Sequence, residues 1–127
     1  MNVELLKRLR TRFLRMRHEE HFQMPVIAIK TDCGAAMCIA GHILALTGYK
    51  MKLRDEYART SVLDYDFITP DGRKVKNPLN TAAREVGLSY RKATNNKAYR
   101  LFNDYDIETP KQAAARIQEL IDSAENA

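Results

Sequence analysis

A mainly α-helical single domain is the fold this sequence predicts, and three observations predict it. The opening segment sets Leu5, Leu6, Leu9, Phe13 and Met16 on one stripe, at the i, i+3/i+4 spacing of a helix packed on a core. The run from Gly34 to Thr47 is apolar on nearly every side and closed by Gly48, as a helix buried at the centre of a bundle would be. Near the C-terminus, Thr109 reads as a cap, Pro110 as the first helical residue and Gln112 as the partner at capping-box offset. The architecture expected is a helical bundle around a buried central helix over 34–47, with a small peripheral β-hairpin near 66–76.

In chain order, the first helix is expected over 3–22, with Pro25 ending it. Outside its apolar stripe, Lys7, Arg8, Arg10, Arg12, Arg15 and Arg17 sweep around the solvent side. The short apolar run Val26-Ile27-Ala28-Ile29 suits either a buried strand or an extended lead-in. Within 34–47, helical steps place Gly34, Cys38, Gly41 and Ala45 on one narrow small-residue face, Met37 and Leu44 on a second, and Ile39, Ile43 and Leu46 on a third. The hairpin is read from Pro70-Asp71-Gly72 between β-prone flanks. A helix then starts at Asn80 or Thr81 and runs through Ala82, Ala83 and Val86 to a stop at Gly87, and Ser89 is expected to cap the next helix. Tyr99, Leu101 and Phe102 supply apolar contacts in a helical segment near 96–103, and Ala113, Ala114, Ile117, Leu120 and Ile121 form the buried face of the last helix.

With 127 residues, 45% hydrophobic and 29% charged, the chain has room for an ordinary core without a metal or disulfide to hold it. No stretch of about 18 apolar residues is present to span a membrane, and the opening residues lack the pattern of a secretory signal. A cytoplasmic protein with no membrane partner is the expectation, and its two cysteines, Cys33 and Cys38, read as free thiols.

The net charge of +5 is unevenly spread. Residues 1–22 sum to +3, residues 73–100 carry eight basic groups against Glu85 alone for +7, and residues 101–127 sum to −4. Such asymmetry points to an anionic partner, a nucleic acid or a nucleotide-like molecule, with Arg8, Arg12, Arg15, Arg73, Lys74, Lys76, Arg91 and Lys92 as its candidate contacts. Tyr90, Tyr99 and Phe102 suit stacking on bases, although Phe102 suits a core position equally. The competing account is a solvated basic surface.

Both cysteines and His42 fall within eleven residues, Asp32 to His42, and three chemistries compete for them. Zinc is disfavoured because Cys33, Cys38 and His42 do not match the two-to-four-residue cysteine spacing of structural sites; no metal and no cofactor is expected. Cys33 at a helix N-terminus would have a favoured thiolate, yet His42 would lie roughly 13 Å further along the axis, too far to serve as its base. A thiol-dependent enzyme using Cys33, Cys38 and His42 therefore stays as an alternative rather than the first reading. The third chemistry is non-covalent anion binding at the helix start, with Cys33, Gly34, Cys38, Gly41 and His42 as the ligand-binding set.

The run Cys33-Gly34-Ala35-Ala36-Met37-Cys38-Ile39-Ala40-Gly41-His42 resembles the C-G-x-x-x-C-I-A-G-[HW] signature of a family of small bacterial and phage proteins of uncharacterised function. Ala82 to Leu88, Leu101-Phe102 and Thr109 to Ala114 followed by Ile117 look like that family's later landmarks. The resemblance implies a bacterial or phage source and a shared helical fold, and it brings no activity or catalytic residue with it. Together these readings favour a non-catalytic protein that binds an anionic partner, with interference in a host process as its setting. A protein–protein interaction module with purely structural cysteines, directed at a host protein, is the other alternative.

Overall fold

The computed structural model describes residues 1–16, 22, 28–31, 34–53, 65–104 and 106–126. Asn2 opens the first helix by accepting the Leu5 N–H on its Oδ1 at 3.1 Å, and α1 runs Val3–Leu14. The stripe is buried as its spacing predicts, at Leu5, Leu6, Leu9 and Phe13, while Met16 is partly buried against the same core. The helix stops at Leu14, well short of 22. A continuous helix would carry Phe22 roughly 13 Å beyond Phe13, whereas their ring centroids lie 5.4 Å apart, edge to face. Packing of Phe22 back onto Phe13 overrides the helical periodicity of the sequence.

A second difference lies at the centre. Gly34–Met37 is strand β2, paired antiparallel with β1, Ala28–Thr31, in the register Ala28 with Met37 and Thr31 with Gly34. The central helix α2 is therefore Ile39–Leu46 and not 34–47, with Cys38 at its N-cap in extended conformation. Gly34, Ala35, Ala36 and Met37 form a short run of small and apolar residue types. Periodicity cannot separate strand from helix in such a run, and available backbone partners decide. Of the two readings open for the run 26–29, Ala28 and Ile29 take the strand; Val26 and Ile27 lie outside the described residues.

Ile39 to Leu44 are all buried, and α2 contacts α1, α3 (Pro78–Glu85) and α4 (Lys97–Phe102), so the helix is central although shorter than expected. It closes at Thr47-Gly48, where the Tyr49 N–H returns to the Leu44 carbonyl at 3.1 Å.

The hairpin is present and extends beyond 66–76. Strand β4, Tyr65–Ile68, pairs antiparallel with β3, Lys50–Leu53, on one edge. On its other edge the chain turns at Pro70-Asp71-Gly72, bridges Ile68 to Lys74 and donates the Val75 N–H to the Phe67 carbonyl at 2.8 Å. Gly72 supplies the left-handed residue of that connection at φ +94°. The element is more than peripheral, since Phe67 and Val75 are buried in the core.

Helix α3 starts at Pro78, two residues ahead of the expected Asn80, because proline at the first helical position needs no hydrogen-bond partner. It ends in a Schellman motif: Gly87 donates to the Arg84 carbonyl at 3.0 Å and Leu88 to the Ala83 carbonyl at 2.8 Å. Ser89 caps no helix. Asn96 caps α4 instead, accepting the Tyr99 N–H at 2.9 Å while its Nδ2 donates to the Ser89 carbonyl at 2.9 Å. Helix α5, Pro110–Glu125, opens on the complete Thr109–Gln112 capping box. Pairing of Lys7 with Glu125 at 3.0 Å and of Arg10 with Gln118 at 2.5 Å orders α1 and α5 antiparallel. No helix among the described residues is long and apolar enough to cross a membrane.

Candidate anion-binding groove

From Cys38 to His42 the cysteine-rich segment is core. Cys38 is 3% exposed, and burial pushes its thiol above the ordinary range. The amides of Gly41 and Ala40 pull in the opposite direction without prevailing. Gly41 is buried within α2. His42, 1% exposed, accepts the Arg12 Nε–H on its Nδ1 at 3.0 Å and packs edge to face on Phe13 at 5.0 Å and stacked on Phe22 at 6.3 Å. Gly34 sits in β2 rather than at a helix start, and Cys33 lies outside the described residues. The first residues of α2, Ile39 and Ala40, are completely buried, which closes their amides to an anion. Among the described residues no group of three or more His, Cys, Asp or Glu side chains is placed to hold a metal ion.

The basic residues divide into two surfaces. Lys7, Arg8, Arg12 and Arg15 line a shallow depression of about 390 Å³ along α1, with Leu46 at its edge. Much of this helix's charge is already engaged, Lys7 by Glu125, Arg10 by Gln118 and Arg12 by His42, and burial lowers the Arg12 pKa. Arg8 and Arg15 are left exposed.

The second surface is a groove of about 970 Å³ between the hairpin and α3. Arg73, Lys74 and Lys76 line it from the strand side and Arg84 from the last turn of α3. Asn77, Asn80, Thr81 and Ser89 add polar groups, Tyr49 and Tyr90 add aromatic rings, and no acidic side chain among the described residues lines it. Two of the four cations are partly neutralised. Arg73 pairs with Asp71 at 3.0 Å, and Lys74 approaches Asp66 at 3.6 Å. The Thr69 hydroxyl, with Arg73 second, holds the Asp71 carboxyl below the usual carboxylate range. Among the described residues Lys76 and Arg84 make no ion pair.

Tyr49 enters the groove because the Gly48 turn delivers it there, and its hydroxyl donates to Glu85 Oε1 at 2.9 Å. Burial first and Glu85 second raise the Tyr49 pKa, whereas Arg84 and Arg73 draw it down, so both cations are felt at the phenol oxygen. At the other end, Tyr90 stacks on the buried Phe102 with centroids 6.2 Å apart and planes 20° apart, and its hydroxyl accepts from Asn103 at 3.1 Å. Tyr99 lies 6.2 Å from Tyr90, tilted by 42°.

Of the basic residues singled out in the sequence, the fold therefore brings Arg73, Lys74 and Lys76 together with Arg84. It leaves Arg8, Arg12 and Arg15 on α1 and places Arg91 and Lys92, both exposed, beyond the groove lining. Arg84 was signalled only as one charge of the 73–100 excess. Tyr49 gave no sequence signal, because it precedes the basic segment and reaches the groove through a tertiary turn. Comparison of the chain with protein-family models, with curated proteins and with solved structures finds no match.

Proposed function

We propose that this chain is a non-catalytic binding protein whose partner carries phosphates, a nucleic acid or a nucleotide, held in the groove between the hairpin and α3. The observation that carries this reading is the lining of that groove: among the described residues it has four cations, two of them without an ion pair, and no acid. Phosphates displacing counterions from such a surface bind with a free energy that depends on salt. Burial of the Cys38 thiol, raised above its ordinary range, speaks against that residue as a nucleophile, while Cys33 lies outside the described residues. A cytoplasmic location and an accessory role in a bacterium or its phage, interfering with a host process, extend this reading on the signature from Cys33 to His42 alone.

Fluorescence anisotropy with a labelled oligonucleotide, titrated between low and physiological salt, tests it. The affinity is expected to fall steeply, with log K linear in log salt. A flat dependence, or no binding at low salt, would sink the proposal.

A further inference from the structure

We infer that the partner is single-stranded nucleic acid, its phosphates tracking Arg73, Lys76 and Arg84 while a base stacks on Tyr49. This inference rests on the phosphate-binding reading above and adds the class of ligand. Three features of the groove argue for it.

The first is size. At about 970 Å³ the groove lies at the top of the range of about 300–1,000 Å³ that small-molecule sites occupy, and it suits a short run of nucleotides better than one. The second is the pairing of charge with aromatic rings. A track of cations beside tyrosines is the combination that holds a single strand, because every base has a π-face and the backbone charge repeats regardless of sequence. Both rings are already fixed in place, Tyr49 through its hydrogen bond to Glu85 and Tyr90 through Phe102 and Asn103, so little side-chain freedom is lost on binding. The hydrogen bond from Tyr49 also occupies Glu85, the one carboxylate in α3, and so lessens its opposition to phosphate. The third is shape. A duplex hides its bases in its own stack and is read by a helix or ribbon that protrudes into its major groove. Here the cations line a concavity, which a flexible strand can enter and a rigid duplex cannot.

The test uses the full chain and three fluorescent probes of equal length at one salt concentration: dT12, an abasic 12-mer with the same phosphates and no bases, and a 12-base-pair duplex. The expected result is binding of dT12 about tenfold or more tighter than the abasic strand, as stacking of at least one base requires, with the duplex no tighter than the abasic strand. Tyr49→Leu, which keeps apolar bulk and removes the π-face, is expected to bring dT12 close to the abasic strand measured with the same variant, whatever release of Glu85 does to both. Tyr49→Phe keeps the ring and should keep most of the difference. The chain has no tryptophan, so its tyrosine emission gives an independent readout, quenched by dT12 and not by the abasic strand. Equal binding of dT12 and the abasic strand, preference for the duplex, or full discrimination in Tyr49→Leu overturns the inference while leaving phosphate binding in place. Failure of all three probes to bind overturns both.

Discussion

His42 and Cys38 show how a residue's chemistry is set by its surroundings. In the sequence both look reactive; in the fold His42 is the one polar side chain of the buried core among the described residues, and its Nδ1 is an acceptor for Arg12. That geometry requires a lone pair on Nδ1. Arg12 is thereby tied to the core by a hydrogen bond, in addition to lining the depression along α1. Cys38 yields a prediction about pH. Its thiol is raised in the folded chain, so above the ordinary thiol range, about pH 8.5, an unfolded chain ionises while the folded one stays protonated. Stability from this site is complete below that pH and falls as pH rises through it, by about 1.4 kcal/mol per pH unit until the folded thiol also ionises. Urea unfolding at pH 7.5 to 10 should show Cys38→Ala losing less stability over this range than the wild type. Parallel curves would remove the effect.

At the scale of elements, local grammar and packing divide the work. The last helix follows its sequence signals residue by residue, since Thr109, Pro110 and Gln112 satisfy its first turn without help from the rest of the chain. The end of α3 is local in motif and tertiary in consequence. Gly87 adopts φ +79°, and a Cβ there would lie 2.8 Å from the Met1 Cα, beside the bond at 2.7 Å from the Asn2 N–H to the Val86 carbonyl that ties the start of α1 to α3. Gly72 has a similar φ of +94° with nothing within 4 Å of its missing Cβ. Alanine at either position meets the left-handed penalty of about 1–2 kcal/mol, and at Gly87 it must also push Met1 away. Gly87→Ala is therefore expected to lower stability in urea by more than Gly72→Ala, and equal losses would deny the contact. The start of α2 is the opposite case. A helix beginning at Gly34 is legible in the spacing, yet β1 offers Gly34–Met37 a backbone partner, and the strand forms.

Across the whole molecule, the uneven charge of the sequence is resolved by α5. Its acids and amides take up part of the basic surface of α1 through Lys7–Glu125 and Arg10–Gln118, while the cations of 73–84 face a groove that no acid among the described residues lines. Oligonucleotide binding should accordingly depend more on the groove than on α1. Lys76→Gln or Arg84→Gln is expected to reduce the magnitude of the log K against log salt slope by about one each, and Arg8→Gln by less. A larger effect at Arg8 would move the site to α1. The basic composition of this surface was legible in the sequence, because charges accumulate along the chain and solvent keeps them outside. Also legible were the apolar stripe of α1, the α5 cap, the Gly48 and Gly87 stops and the turn at Pro70-Asp71-Gly72, because each depends on residues within a few positions of one another. Four outcomes belonged to the tertiary structure alone: the early end of α1, the conversion of 34–37 to strand, the burial of Cys38 and His42, and the arrival of Tyr49 beside Arg84. Two of them depend on partners far along the chain, Arg12 for His42 and Glu85 for Tyr49, of which sequence spacing carries no record; in the other two a nearby partner, Phe22 for Phe13 and β1 for β2, competes with the helical spacing of the same residues and wins.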